Sequence, residues 1–168
     1  MRGVAAVVWL LAVTIPSLAR ASDVDPAEVW RPMFHYLGTW KGTRPGADGP
    51  IKLTRVYTSA SSNHYLEITE TGRDRSRSEV RGMMSFDRPR QTLILRLYAL
   101  DGSASDLVLD PSSTTAGQLV FASLDTSSSR TRIVYQRTGP KNFVERIEQS
   151  SGGEPYALVT ETTFVRKD

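Results

Sequence analysis

The segment RTRIVYQRTGPKNFVERIEQ, residues 130–149, decides the fold class. Each half is rich in β-branched and aromatic residues, and the Gly139-Pro140 dipeptide between them is a turn signal. The segment therefore predicts two antiparallel strands, Arg130–Arg137 and Asn142–Gln149, joined by a short loop.

The same strand–turn pattern extends along most of the chain. No helical stretch alternates with the strands, so βαβ units are excluded. About ten hairpin-connected strands would leave costly free edges unless the sheet closes on itself. The sequence thus predicts an all-β fold, a single antiparallel up-and-down β-barrel of about ten strands with a short N-terminal helix. The other eight predicted strands are Thr39–Thr43, Ile51–Ser59, His64–Thr71, Ser76–Phe86, Thr92–Leu100, Ser105–Leu109, Gln118–Ser123 and Tyr156–Arg166.

Length and composition limit the possible classes of protein. The 168 residues suffice for one ordinary domain, and 39% hydrophobic residues can build a packed core. The chain has no cysteine, which excludes disulfides, a thiolate nucleophile and cysteine-ligated metals. No apolar run reaches the roughly 18 residues of a spanning helix, so no transmembrane segment is expected.

The first 21 residues resemble an export signal. Met1-Arg2 is a short positive region, Gly3–Ile15 is apolar, and Ala19-Arg20-Ala21 provides small residues at a cleavage site. We expect a signal peptide over 1–21 and a mature barrel domain over 22–168, with an uncleaved anchor as the alternative. The predicted location is the periplasm or exterior of a bacterium, which suits a chain without cysteine.

Charge gives little indication of the partner. Removing residues 1–21 removes Arg2 and Arg20, so the basic residues fall from 21 to 19 against 18 acidic ones, and the net charge falls from +3 to +1. The remaining basic residues are scattered, with acidic neighbours between them. We therefore expect no nucleic-acid partner.

The mature chain begins with a helix signal. Asp25 is a suitable N-cap, Pro26 suits the first helical position, and Glu28 completes a capping box. The segment ends at Gly38. Its apolar face is predicted to carry Val29, Trp30, Met33 and Phe34.

The residues that follow this helix resemble the entrance of a calycin barrel. Lipocalins carry Gly-x-Trp at the start of the first strand, and this chain has Gly38-Thr39-Trp40. The resemblance implies that Trp40 packs across one barrel end against a basic residue of the last strand, which here is Arg166. Such a cation–ring contact contributes about 0.5–2 kcal/mol.

The order of further motifs resembles a group of bacterial secreted lipocalin-like proteins over most of residues 30–167. These motifs are Phe86-Asp87-x-Pro89, Arg132-x-x-Tyr135 and Glu148-x-Ser150-x-Gly152. The chain is also similar to nitrobindin-type haem barrels, which hold iron through a late histidine. It has no histidine after His64, so we expect no haem or other cofactor, and no metal role for His35 or His64.

One strand has an arginine between leucines. Side chains alternate along a strand, so Leu93, Leu95 and Leu97 share one face while Arg96 and Tyr98 share the other. If the leucines face the interior, Arg96 lies outside with its stem on the barrel wall. If the barrel is wide and wet, Arg96 and Tyr98 become anchors for an anionic ligand.

The hairpin of residues 130–149 also predicts a polar row. A loop over Thr138–Asn142 pairs Arg137 with Phe143, and the same register places Arg132 opposite Glu148. The next turn brings Tyr156 near Glu148. This row is either an exposed cross-strand ion pair or a polar anchor for a ligand.

These observations predict a binding protein for a small apolar or amphipathic molecule held inside the barrel. Arg132, Glu148, Tyr156, Arg96, Tyr98 and Phe143 are the candidate ligand-binding residues. The sequence has no common hydrolase or phosphate-binding motif, and no catalytic residue is assigned. The alternatives are an enzyme that uses Arg132 and Glu148, and a filled barrel that acts as a structural or interaction module. The expected wall residues are Leu93, Leu95, Leu97, Phe121, Phe143 and Phe164.

Overall fold

The strands close into one barrel in a computed structural model, which describes residues 25–60, 65–72, 79–99, 101–124 and 129–167. Every strand pairs antiparallel with its neighbour in sequence, and the first pairs with the tenth. This confirms the predicted up-and-down barrel with a short N-terminal helix. The predicted signal peptide lies outside the described residues. The strands are β1 Gly38–Arg44, β2 Ile51–Ala60, β3 Tyr65–Gly72, β4 Glu79–Asp87, β5 Thr92–Tyr98, β6 Ala104–Leu109, β7 Gln118–Ser123, β8 Ser129–Gly139, β9 Asn142–Ser151 and β10 Ala157–Arg166.

Two short helical segments precede the barrel. Helix α1, Pro26–Trp30, begins after Asp25, whose carboxylate accepts a hydrogen bond from the backbone N–H of Ala27 at 2.9 Å. A 3₁₀ helix, Arg31–Tyr36, follows directly.

The buried face of these helical segments is Trp30, Met33 and Tyr36, at a spacing of three residues. That spacing matches the three residues per turn of a 3₁₀ helix. The inclusion of Phe34 in the apolar face was wrong, because the α-helical spacing assumed for it does not continue past Trp30. Phe34 is 43% exposed.

The helical segments cover one end of the barrel, here called the closed end. The Tyr36 ring packs against Tyr57, Tyr135 and Phe143 at centroid distances of 5.0–6.1 Å. The indole N–H of Trp40 donates to the carbonyl oxygen of Tyr36 at 2.6 Å. These contacts join the helical segment to the interior of the barrel.

Trp40 and Arg166 show the contact that the lipocalin resemblance implies. Trp40 is fully buried, and its strand neighbour in β10 is Arg166. The Arg166 guanidinium lies 4.6 Å from the centre of a Trp40 ring and donates a hydrogen bond to the carbonyl oxygen of His35. One arginine therefore joins the last strand, the first strand and the helical segment.

Aromatic side chains fill the closed half of the barrel. Phe143 stacks on Phe164 at 4.7 Å and meets Trp40 edge-on at 4.8 Å. A β-carbon at Gly42 would lie 2.5 Å from the Phe164 ring, so glycine is required there for this packing. Aromatic rings therefore occupy the interior of the closed half.

The opposite end of the barrel, here called the open end, is where β1, β3, β5, β7 and β9 finish. No helical segment of the described residues covers it. Within the same residues, no helix is long and apolar enough to cross a bilayer.

Candidate binding site in the open end of the barrel

A cavity of about 650 Å³ occupies the open end. Its size lies within the roughly 300–1,000 Å³ that small-molecule sites occupy. The walls come from the inward-facing residues of β4 to β9, and serine and threonine side chains add polar groups near the rim. These residues are Val80, Leu97, Ser105, Leu107, Ser123, Thr131, Ile133 and Ile147.

A second, smaller cavity of about 70 Å³ lies at the base of the first. Val80, Leu97, Ile133 and Ile147 line both spaces, so the two are successive parts of one interior. The smaller cavity is also lined by charged and phenolic side chains: Arg44, Arg55, Glu70, Tyr135 and Glu145. The interior therefore changes from apolar walls to a polar floor.

Three ionisable side chains form the centre of this floor, and we call them the floor triad: Arg55, Glu70 and Glu145. Their side chains are 7%, 0% and 5% exposed. Arg55 on β2 lies directly opposite Glu70 on β3, whereas Glu145 reaches across from β9. Buried charges of this kind are tolerated only when they are paired and hydrogen-bonded.

Arg55 uses all of its N–H groups within the protein. Its Nε donates to Glu70 Oε2 at 2.8 Å, and its Nη2 donates to Glu70 Oε2 at 2.5 Å and to Glu145 Oε1 at 2.9 Å. Its Nη1 donates to Glu145 Oε2 and, at 3.2 Å, to the Tyr57 hydroxyl. A guanidinium has five N–H donors, so none remains for a ligand.

Electrostatics keep Arg55 charged and the neighbouring phenols neutral. Burial alone would lower the pKa of Arg55, but the Glu145 and Glu70 carboxylates outweigh it and hold the pKa well above its ordinary value. Burial raises the pKa of Tyr57 to about 12 and raises that of Tyr135 as well.

Glu70 leaves one acceptor open towards the small cavity. Its Oε2 accepts from Arg55, while its buried Oε1 has no hydrogen-bond partner. Arg44 approaches this oxygen to 3.6 Å, which is beyond hydrogen-bond length. The floor can therefore accept a hydrogen bond at this position.

The polar row of β8 and β9 has the predicted register but the wrong face for an interior site. Arg132 lies opposite Glu148 and donates to its carboxylate, and the Arg132 guanidinium lies 4.2 Å from the Tyr156 ring centre. Ile133 and Ile147 line the cavity, so their sequence neighbours Arg132 and Glu148 point outwards. Of the two alternatives for this row, the structure shows the cross-strand ion pair on the outer face.

Arg96 and Tyr98 also lie on the outer face. Arg96 donates two hydrogen bonds of 2.6 Å to the carboxylate of Asp106 on the next strand. This pairing holds the pKa of Asp106 below its ordinary value. Of the two alternatives for Arg96, the structure shows the one in which it lies outside, and Tyr98 is an exposed residue at the rim.

The expected wall residues divide between the core and the cavity. Leu97 lines the cavity, but the other five face inwards deeper in the barrel and pack in the core instead. Phe143, expected to contact ligand, lies between Trp40, Tyr36 and Phe164 in the closed half. The five core residues are Leu93, Leu95, Phe121, Phe143 and Phe164.

Sequence reasoning missed the floor triad, although a signal for it exists. In β2 the inward row is Leu53, Arg55 and Tyr57, and in β3 it is Leu66, Ile68 and Glu70. A charged residue that continues an apolar row at a spacing of two is the pattern of an inward-facing charge.

His35 has no part in this site. His35 lies at the closed end, where burial and then the charges of Arg137 and Arg166 lower its pKa. His64 lies outside the described residues. Among the ranges that the structure describes, no cluster of three potential ligands could hold a metal ion.

The closed ten-stranded antiparallel barrel of this chain is similar to barrels in solved structures. Similar solved structures include Rv2717c from M. tuberculosis, at 15% identity and TM-score 0.59, covering 87% of this chain and 100% of that one. Another is the S-type phycobiliprotein lyase CPES from Guillardia theta, at 9% identity and TM-score 0.55, covering 83% and 93%.

Comparison of sequences adds no relative to these structures. No protein-family profile matches this chain, and no curated protein matches it. At identities of 15% and 9%, the structural likeness shows the fold alone.

Proposed function

We propose that this protein is an exported binding protein that holds one small molecule in the open end of its barrel. The observation that carries the proposal is the cavity of about 650 Å³, which leads from an open rim to a buried polar floor. Leu97, Leu107, Ile133 and Ile147 provide an apolar wall, and a few polar groups at the base orient the ligand. An amphipathic molecule with a largely apolar body suits this combination.

Both alternatives from the sequence have less support. The enzyme alternative assigned chemistry to Arg132 and Glu148, which point away from the cavity. The filled-barrel alternative holds for the closed half, where aromatic rings occupy the interior, but not for the open end. A similar fold serves as a phycobiliprotein lyase, so barrels of this kind also have roles other than a purely structural one.

Titration with Nile red, a neutral apolar dye, tests the cavity. Ser105 lines the rim, and Ser105→Trp should fill part of the opening and weaken dye binding by about tenfold or more, equivalent to ~1.4 kcal/mol. The matched control is Thr163→Trp, on the exposed face of β10, which should bind like the wild type. Equal binding by both variants, or no saturable binding by the wild type, would contradict the proposal.

Export rests on residues 1–21 and has its own test. The full chain, expressed with these residues in a bacterium, should be recovered from the periplasm or medium as a chain that begins at Ser22. Intact-mass measurement decides this directly. A folded product that keeps Met1 to Ala21 would contradict cleavage, and retention in the cytoplasm would contradict export.

A further inference from the structure

The floor of the cavity offers a hydrogen-bond acceptor, and Arg55 keeps no N–H group for a ligand. Arg55 has placed all five N–H groups on Glu70, Glu145 and Tyr57. An anionic head group would therefore find no donor on Arg55. It would also meet the carboxylate of Glu70, whose Oε1 is buried and without a hydrogen-bond partner.

Net charge does not select the head group, because Arg44 lies beside the floor triad. Arg44 lines the same small cavity, and its Nη1 is 3.6 Å from Glu70 Oε1. The two arginines and the two glutamates therefore balance. Selection rests on hydrogen bonding instead: a donor can bond Glu70 Oε1, whereas a carboxylate would place one acceptor against another at this position.

The space above Glu70 Oε1 limits the size of the group that can reach it. The small cavity measures about 70 Å³, the room that two waters take up in the liquid at ~30 Å³ each. A hydroxyl or an ammonium with its first carbon fits that volume, whereas a bulky ring does not. The apolar remainder of such a molecule would lie against Leu97, Ile133 and Ile147, which line both cavities.

We infer that the ligand is an amphiphile that enters head first and donates a hydrogen bond from an ammonium or hydroxyl group to Glu70 Oε1. This inference rests on the proposed binding function and specifies its ligand class. The barrel thus selects donor-headed amphiphiles and rejects carboxylates of the same chain length.

Competition against Nile red with decylamine, decanol and decanoate tests this selectivity on the wild-type protein. Near pH 7 the amine is cationic and the acid anionic, since their ordinary pKa values are about 10 and 4. Decylamine and decanol should both compete, and decanoate should compete at least about tenfold more weakly than either. Equal competition by all three would overturn the inference and leave the binding function standing. Preference for decanoate would also overturn it, and competition by none would overturn both proposals.

Glu70→Gln provides a sharper test on the same probes. The glutamine oxygen must face Arg55, so its amide N–H₂ faces the cavity and replaces an acceptor by a donor. Decylamine should lose at least about tenfold in affinity while decanoate gains, which reverses the order. The matched control is Glu148→Gln on the outer face, which should keep the wild-type order. An unchanged order in a folded Glu70→Gln variant would overturn the inference, and if that variant does not fold, the wild-type ranking decides.

Discussion

Replacing Arg55 by methionine tests whether the floor triad is held together by charge pairing. The variant keeps a long apolar stem but removes the guanidinium that bonds Glu70 and Glu145, whose side chains are 0% and 5% exposed. Removing one partner of a buried ion pair leaves an uncompensated charge and costs about 3–5 kcal/mol. Two carboxylates are left here, so we expect Arg55→Met to lose at least the lower part of that range.

Urea unfolding at pH 7 measures this loss, with tryptophan fluorescence as the probe because Trp40 is fully buried in the folded barrel. The control is Arg96→Met, which breaks an arginine–carboxylate pair of similar geometry on the outer face. It should leave the urea midpoint close to that of the wild type.

A triple variant separates pairing from packing. Arg55→Met, Glu70→Leu and Glu145→Leu together remove the whole triad, and apolar replacement of a buried ionic cluster is often neutral or stabilising. The triple variant should therefore be more stable than Arg55→Met alone. A loss below about 1 kcal/mol for Arg55→Met, or a triple variant less stable than the single one, would refute this electrostatic reasoning.

Three further predictions concern the rest of the barrel. Trp40→Ala should lower the free energy of unfolding by about 3–5 kcal/mol, because it empties the closed end, and urea denaturation checks this. Glu148→Gln should change the free energy of unfolding by less than about 1 kcal/mol, since the pair with Arg132 lies on the outer face. A larger loss of stability would contradict that placement. The folded-state pKa of His35 is lowered from 6.5, so the unfolded chain binds more protons, and stability should fall as the pH drops through 6.5. His35→Gln should make the thermal-unfolding midpoint depend less on pH. If the pH dependence is unchanged in this variant, groups other than His35 cause it.

The barrel could be predicted from the sequence because its connections are short and carry clear turn residues. A loop over 138–142 is enough to set the register of β8 against β9, and the observed pairs Arg137–Phe143 and Arg132–Glu148 are those predicted. Ten strands joined in this way close for a physical reason, since open edges are costly. Local turn chemistry and a general rule about sheet edges thus determine the architecture.

The register of paired strands does not by itself decide which face of each strand points into the barrel. Pairing Arg132 with Glu148 does not say whether the pair points inwards, because both faces share one register. The apolar neighbours Ile133 and Ile147 decide this in the folded barrel, where they line the cavity.

The floor triad depends on contacts far apart in sequence. Arg55 and Glu70 are 15 residues apart, whereas Arg55 and Glu145 are 90 apart and meet only because the barrel closes. Periodicity within β2 and β3 can suggest that each charge faces inwards. Only the closed barrel shows that the three side chains share one interior site.

Amide NMR shifts of the ¹⁵N-labelled protein titrated with decylamine locate the binding site. A ligand held inside the open end should cause saturable shifts at cavity-lining positions such as Leu97, Leu107 and Ile133, with little change at the outward row of Arg132 and Glu148. Shifts that are largest on the outer surface, or an absence of saturable shifts along the cavity wall, would contradict binding inside the open end.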